Sequence, residues 1–143
     1  MSELQADFVW PVRVYWEDTD AGGIVFYANY LKFFERARTE WLRHLGVEQQ
    51  NLREQTGGMF VVTATALKYE HSARLDDLLS VHTTLTQAGR ASLVLSQSCW
   101  RQDPDAEAPK RLAHGEIRIG WVEAKSMKPA RIPSSILDRL KPT

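Results

Sequence analysis

The chain has 143 residues, 43% hydrophobic and 10% aromatic, which suits a single folded domain over 1–143 and excludes a disordered chain. Lys plus Arg and Asp plus Glu each total 18, so the formal charge is zero; the basic excess of a nucleic-acid binder is missing, and no nucleic-acid partner is expected. The single cysteine, Cys99, excludes an intramolecular disulfide and a Cys-rich zinc site and is compatible with a reducing compartment.

Met1–Trp10 carries Glu3 and Asp7 but no Lys, Arg or long apolar run, unlike a secretory signal. No apolar run approaches the ~20 residues of a membrane span. The expected location is the cytoplasm, without membrane insertion. Phe8, Trp10, Val12, Val14 and Trp16 alternate, so Phe8–Trp16 is predicted to be a strand, with Pro11 marking an edge or an irregular start. Glu17–Gly23 is a polar, Gly-rich loop, followed by the short apolar run Ile24–Tyr27. From about Ala28 to Leu45 the period becomes helical. Tyr30, Phe33, Phe34, Ala37, Trp41 and Leu45 form one stripe. Lys32, Arg36, Arg43 and the Glu35/Arg38 pair fall largely off it, and Gly46 is placed to end the helix. Val47–Gln55 reads as a short second helix stopped by Gly57-Gly58.

Four β-like runs follow: Met59–Tyr69, Leu78–Gln87, Ser92–Arg101 and Leu112–Glu123. Ala88-Gly89-Arg90 suits a hairpin loop and Gln102–Lys110 a longer turn. Consecutive strands are expected to pair antiparallel as a meander, and the tail from Ile136 to form a helical turn or two. The predicted fold class is α+β, one long helix buried against a curled antiparallel sheet. One sheet around one helix leaves an open edge, which oligomerisation is expected to cover.

The stretch that carries chemistry is Tyr15–Tyr30. It sets Glu17, Asp18 and Asp20 in a loop that ends at a helix N-terminus. Unsatisfied amides and a positive dipole end sit there. A carboxylate facing such amides across a Gly-rich turn suits acyl transfer: one group acts as base or nucleophile, the other stabilises an oxyanion. A solvated, N-capping turn is the plain alternative. A calcium loop starting at Asp18 fails, because Asn29 stands twelfth where a bidentate Glu belongs. An Asp-x-Asp magnesium phosphatase is opposed by the antiparallel meander and the lack of a second acidic cluster. No metal ligand set is predicted; His44, His71, His82 and His114 show no metal spacing, and His71 is a candidate to line the site.

Asp18–Tyr30, followed by Phe34-Glu35-Arg36-Ala37-Arg38, closely resembles the hotdog-fold acyl-CoA thioesterases, and more narrowly the 4-hydroxybenzoyl-CoA thioesterase family and its Tol–Pal-associated (YbgC-type) branch. Arg74–Leu78 and Lys128–Pro133 resemble the same branch. The resemblance implies a hotdog fold, hydrolysis of an acyl-CoA to free acid and CoA, and no cofactor, CoA being part of substrate and product. It implies that Asp20 is the catalytic carboxylate, as nucleophile or general base, and that a backbone amide near Tyr27 polarises the thioester carbonyl. Gly23 and Asn29, in the same motif, are candidate substrate contacts. Branch members often carry a His proposed as catalytic where this chain has Tyr27, and a Tyr where Trp16 stands. Glu35 occupies the helix on which another hotdog branch places a catalytic Glu; its alternative is a pair with Arg38 at i+3. The resemblance also implies a homo-oligomer, a dimer at least and a tetramer by extension, with active sites at the subunit interface.

CoA brings phosphates, and Arg90, Lys128 and Arg131 are the candidate cations for them. Two other functions stand beside hydrolysis. One is a non-catalytic acyl-CoA-binding adaptor in cell-envelope maintenance. The other is a hotdog hydratase or dehydratase, which needs a His with a carboxylate.

Overall fold

The computed structural model describes residues 6–140. The element order is β1 (Phe8–Arg13), α1 (Tyr30–His44), α2 (Gln49–Thr56), β2 (Gly58–Tyr69), β3 (Leu78–Ala88), β4 (Ser92–Arg101), β5 (Lys110–Glu123) and α3 (Ser134–Leu140), with single 3₁₀ turns at Trp16–Asp18 and Tyr27–Asn29. The five strands form one antiparallel sheet in the order β1-β3-β4-β5-β2. The α+β class expected from the sequence is the observed one.

Packing follows from two periodicities. The α1 stripe buries Phe33, Phe34, Ala37, Trp41 and Leu42. Alternate residues of the central strands rise to meet it: Leu79 and Val81 from β3, Leu93 and Leu95 from β4, Ile117 and Ile119 from β5. Each fully buried side chain of this size contributes about 1.5–3 kcal/mol, so the helix is held by tertiary packing more than by its own propensity. Gly46 and Gly57, at φ 84° and 74°, take the left-handed conformation that ends α1 and α2. Cys99 points into the same core, and burial pushes its thiol up to about 12, which keeps it an unreactive packing group.

Three expectations are corrected. The first strand stops at Arg13 instead of running to Trp16. Its continuation turns into a 3₁₀ turn, which leaves Trp16 80% exposed. The strands are not a simple meander. β3, β4 and β5 are consecutive neighbours, but β2 pairs with β5 at the far edge and β1 with β3 at the other. The link 70–77 therefore crosses the end of the sheet. It spans three strand spacings, roughly 14 Å, well within the reach of that many residues. Finally, Arg38 is buried. Its Nη1 donates to Gln97 Oε1 at 2.9 Å, while Gln97 Nε2 donates to the Phe34 carbonyl (3.0 Å) and Thr83 Oγ1 (2.9 Å). This polar node ties helix to sheet. The Glu35 carboxylate instead accepts from Thr39 Oγ1, because i+4 places that hydroxyl beside it on the outer face.

Candidate active site

Asp18 organises the loop between β1 and α1. Its carboxylate is buried, which is tolerable only with hydrogen-bond donors around it. Tyr15 N–H donates to Oδ2 at 2.8 Å and Asn29 Nδ2 to Oδ1 at 2.6 Å. The Phe26 amide donates to the Asp18 carbonyl at 3.0 Å. Both ends of the loop are thereby closed on one residue. Asn29 is itself buried, so its amide serves this clamp.

Between the clamped ends the chain makes a tight turn. The Asp20 amide donates to the Ile24 carbonyl (2.9 Å), and the Gly23 amide returns to the Asp20 carbonyl (3.0 Å). Gly23 has φ 78°, a value open to glycine and strained for other residues. The Gly22 amide donates to Asp20 Oδ1 at 2.8 Å, an Asx turn that holds the carboxylate at one angle. Asp20 is exposed, and its other oxygen has no partner among the described residues.

Asp20 lines a cavity of about 350 Å³ together with Tyr27, Tyr30, Tyr69 and His71. The volume is at the small end of ligand sites. Aromatic rings form its wall. Tyr69 meets Tyr27 edge-on at 6.1 Å and Tyr30 at 5.7 Å, and Phe26 supports Tyr27 at 4.9 Å. Tyr30 Oη accepts from the Ala73 amide, and the Val25 amide donates to the Ala73 carbonyl, so the loop is fastened to the segment before β3. Burial pushes the Tyr30 phenol up, and burial and then the Tyr27 hydroxyl push Tyr69 up; both stay neutral near neutral pH. Tyr27 opens the turn that leads into α1, and its amide makes no hydrogen bond among the described residues.

Sequence reasoning did not bring Tyr69 or Glu70 to this cavity. Tyr69 ends β2 and Glu70 follows it, and no local pattern reveals that strand's far-edge position. Glu70 is held by Arg111, whose Nε lies 2.6 Å from Oε1. That hydrogen bond holds its carboxyl below the usual range.

The expected phosphate-binding cations lie elsewhere. Ile132 N–H donates to the Arg90 carbonyl, which sets Arg131 beside Arg90, and the Glu123 amide donates to the Lys128 carbonyl. All three follow the C-terminal end of β3 or β5, whereas the Asp20 loop is bridged to Arg74, ahead of β3. β3 is 11 residues long, so roughly 33 Å separates its ends, at about 3.3 Å per residue. Glu35 faces a different, smaller cavity on α1, with Arg38 and Phe60. Among the described residues no group of three His, Cys, Asp or Glu side chains is arranged to hold a metal, and no helix is long and apolar enough to cross a membrane.

The sequence pattern of the thioesterase-like superfamily matches residues 14–140. The chain belongs to that family. It is 41% identical over 133 residues to the acyl-CoA thioesterase YbgC of Haemophilus influenzae, covering 93% of each chain. It is 42% identical over 134 residues to the acyl-CoA thioester hydrolase YbgC of Escherichia coli O6:H1, covering 94% of this chain and 96% of that one. Its fold is that of 4-hydroxybenzoyl-CoA thioesterase, solved as a mutant with 4-hydroxybenzoyl-CoA: TM-score 0.86 at 17% identity, over 93% of this chain and 97% of the other. The hotdog architecture is thereby established.

The clamp yields a stability prediction. Asp18→Ala strands the Tyr15 amide and the Asn29 carboxamide, and should cost about 2 kcal/mol. Asn29→Ala should cost a similar amount. In denaturant titrations the double variant should lose less than the sum of the two, because they share one bond.

Proposed function

We propose that this protein is an acyl-CoA thioesterase of the cytoplasm, converting acyl-CoA and water to a carboxylic acid and CoA. The observation that carries the reading is the Asp20 carboxylate, fixed by the Gly22 amide through one oxygen with the other open to a cavity that Tyr27 also lines. A thioester carbonyl set between them would meet a carboxylate on one side and the Tyr27 amide on the other. Asp20 either takes a proton from the attacking water or attacks the carbon itself, and the amide stabilises the negative charge that develops on oxygen. The names of the 41–42% identical relatives supply the acyl-CoA substrate class. The reaction balances with water alone and calls for no cofactor. Gly23 and Asn29 act by shaping the turn. Glu35 has no part in the chemistry.

The working unit is a homo-oligomer, a dimer or a pair of dimers. Among the described residues β2 pairs only with β5 and leaves its outer edge open, and Val62 on it is 50% exposed. Such an edge calls for a cover. Arg90, Lys128 and Arg131 stand a strand's length from Asp20 of their own chain, so they meet CoA phosphates at a neighbouring subunit's site.

Asp20→Asn retains the turn, since a carboxamide oxygen can still accept from Gly22, but loses the base and nucleophile. Hydrolysis across a panel of acyl-CoAs should fall by on the order of 10²-fold or more, with the melting temperature unchanged; wild-type turnover in this variant overturns the proposal. Light scattering should report a dimer or tetramer, and Arg131→Ala within it should raise KM and leave kcat, because a contact remote from the thioester binds ground and transition states alike.

A further inference from the structure

An imidazole shares the Asp20 cavity and has no part in the chemistry assigned to Asp20 and the Tyr27 amide. His71 follows the end of β2 and lines the same space as Asp20 and Tyr27. Its main-chain amide is fixed to the Leu112 carbonyl at 3.1 Å, which anchors the residue on β5. Its imidazole makes no hydrogen bond among the described residues; its one interaction is electrostatic, with Glu70. A ring so placed is supported by backbone yet free to bind a reacting group. Imidazole is the side chain that both gives and takes a proton near neutrality.

We propose that His71 is the general acid of thioester hydrolysis in this protein, an inference that rests on the thioesterase reading of the same cavity. When the carbon–sulfur bond breaks, the electron pair goes to sulfur, and the imidazolium of His71 gives that sulfur its proton, releasing CoA as the thiol. If Asp20 has taken the proton of the attacking water, that proton then passes to the neutral imidazole. If Asp20 has formed an acyl anhydride, the neutral imidazole takes the proton of the water that hydrolyses it. On either route carboxylate and imidazolium are both restored, and nothing beyond water is consumed.

The surroundings favour this assignment. Asp20 lines the cavity with His71 from the loop, Tyr27 from the 3₁₀ turn, Tyr30 from the start of α1, Tyr69 from the end of β2 and Glu70 just after it. Behind Glu70 on β5 stand Arg111 and His114, the latter with Nε2 3.7 Å from Glu70 Oε1. Arg101 holds the neighbouring Ser72 carbonyl. Glu70, held by Arg111, is the charged group beside the ring.

The test is the pH profile of kcat/KM for His71→Gln, with Asp20→Asn and His114→Gln in parallel and two substrates of one acyl group: the CoA thioester and a thiophenol ester, whose thiolate leaves without help. Wild-type kcat/KM should decline as pH rises and the acid is lost. In His71→Gln the decline should vanish and the rate on the CoA ester fall by about 10²-fold, while the thiophenol ester is nearly spared. Added imidazole should restore His71→Ala in part, and His114→Gln should retain the decline. A wild-type profile in His71→Gln, or an equal loss on both esters, overturns the proposal. If Asp20→Asn is inactive in that case, the thioesterase reading stands; if no variant and no wild type hydrolyses either ester, both fall together.

Discussion

The buried carboxylate of Asp18 is the constraint on which the candidate site depends. A charge out of water must be surrounded by donors, and Asp18 finds them on both flanks of its loop, the Tyr15 amide before it and the Asn29 carboxamide after it. Closing these contacts brings the end of β1 to the start of α1. It also leaves Asp20, two residues on, turned outward. The two aspartates thus divide the work: one is enclosed and structural, the other held by a single amide and open to the cavity. The core of α1 on the sheet positions this loop, since Tyr30 and Phe33 lie within the first turn after Asn29 and are both buried.

Much of this was legible in the sequence, for identifiable reasons. The helix announced itself because Phe33, Phe34, Ala37 and Trp41 keep a helical period over about two and a half turns. Strands β3 to β5 did so because each is a Val-, Leu- or Thr-rich run bounded by turn residues. The Asp20 motif was conspicuous because its Gly-Gly pair demands a tight turn, and Gly23 does take positive φ. Arg38 misled, because a charged residue on an amphipathic helix reads as solvated. Its hydrogen-bond partner in the core is the neutral Gln97, 59 positions away. The placement of β2 misled for a related reason: which edge a strand joins is decided by pairing with β5, remote in sequence. Tyr69 and Glu70 owe their place in the cavity to that pairing, so no local signal marked them.

Charge distribution gives the proposed oligomer a part in the functional account. A chain with no net charge has to attract an anionic substrate locally, and the Arg90–Arg131 neighbourhood is at the opposite end of β3 from Asp20. One chain therefore carries Asp20 at one end of the sheet and cationic groups at the other. Assembly through the open edge of β2 is the economical way for one CoA molecule to meet both.

The most direct test of the central claim is the crystal structure of the Asp20→Asn protein with an intact acyl-CoA. The account places the thioester carbon beside the residue 20 carboxamide, the carbonyl oxygen on the Tyr27 amide, the sulfur toward His71, and the nucleotide phosphates on cations of another subunit. An acyl-CoA whose thioester lies away from residue 20, for instance in the cavity lined by Glu35 and Arg38, would contradict it.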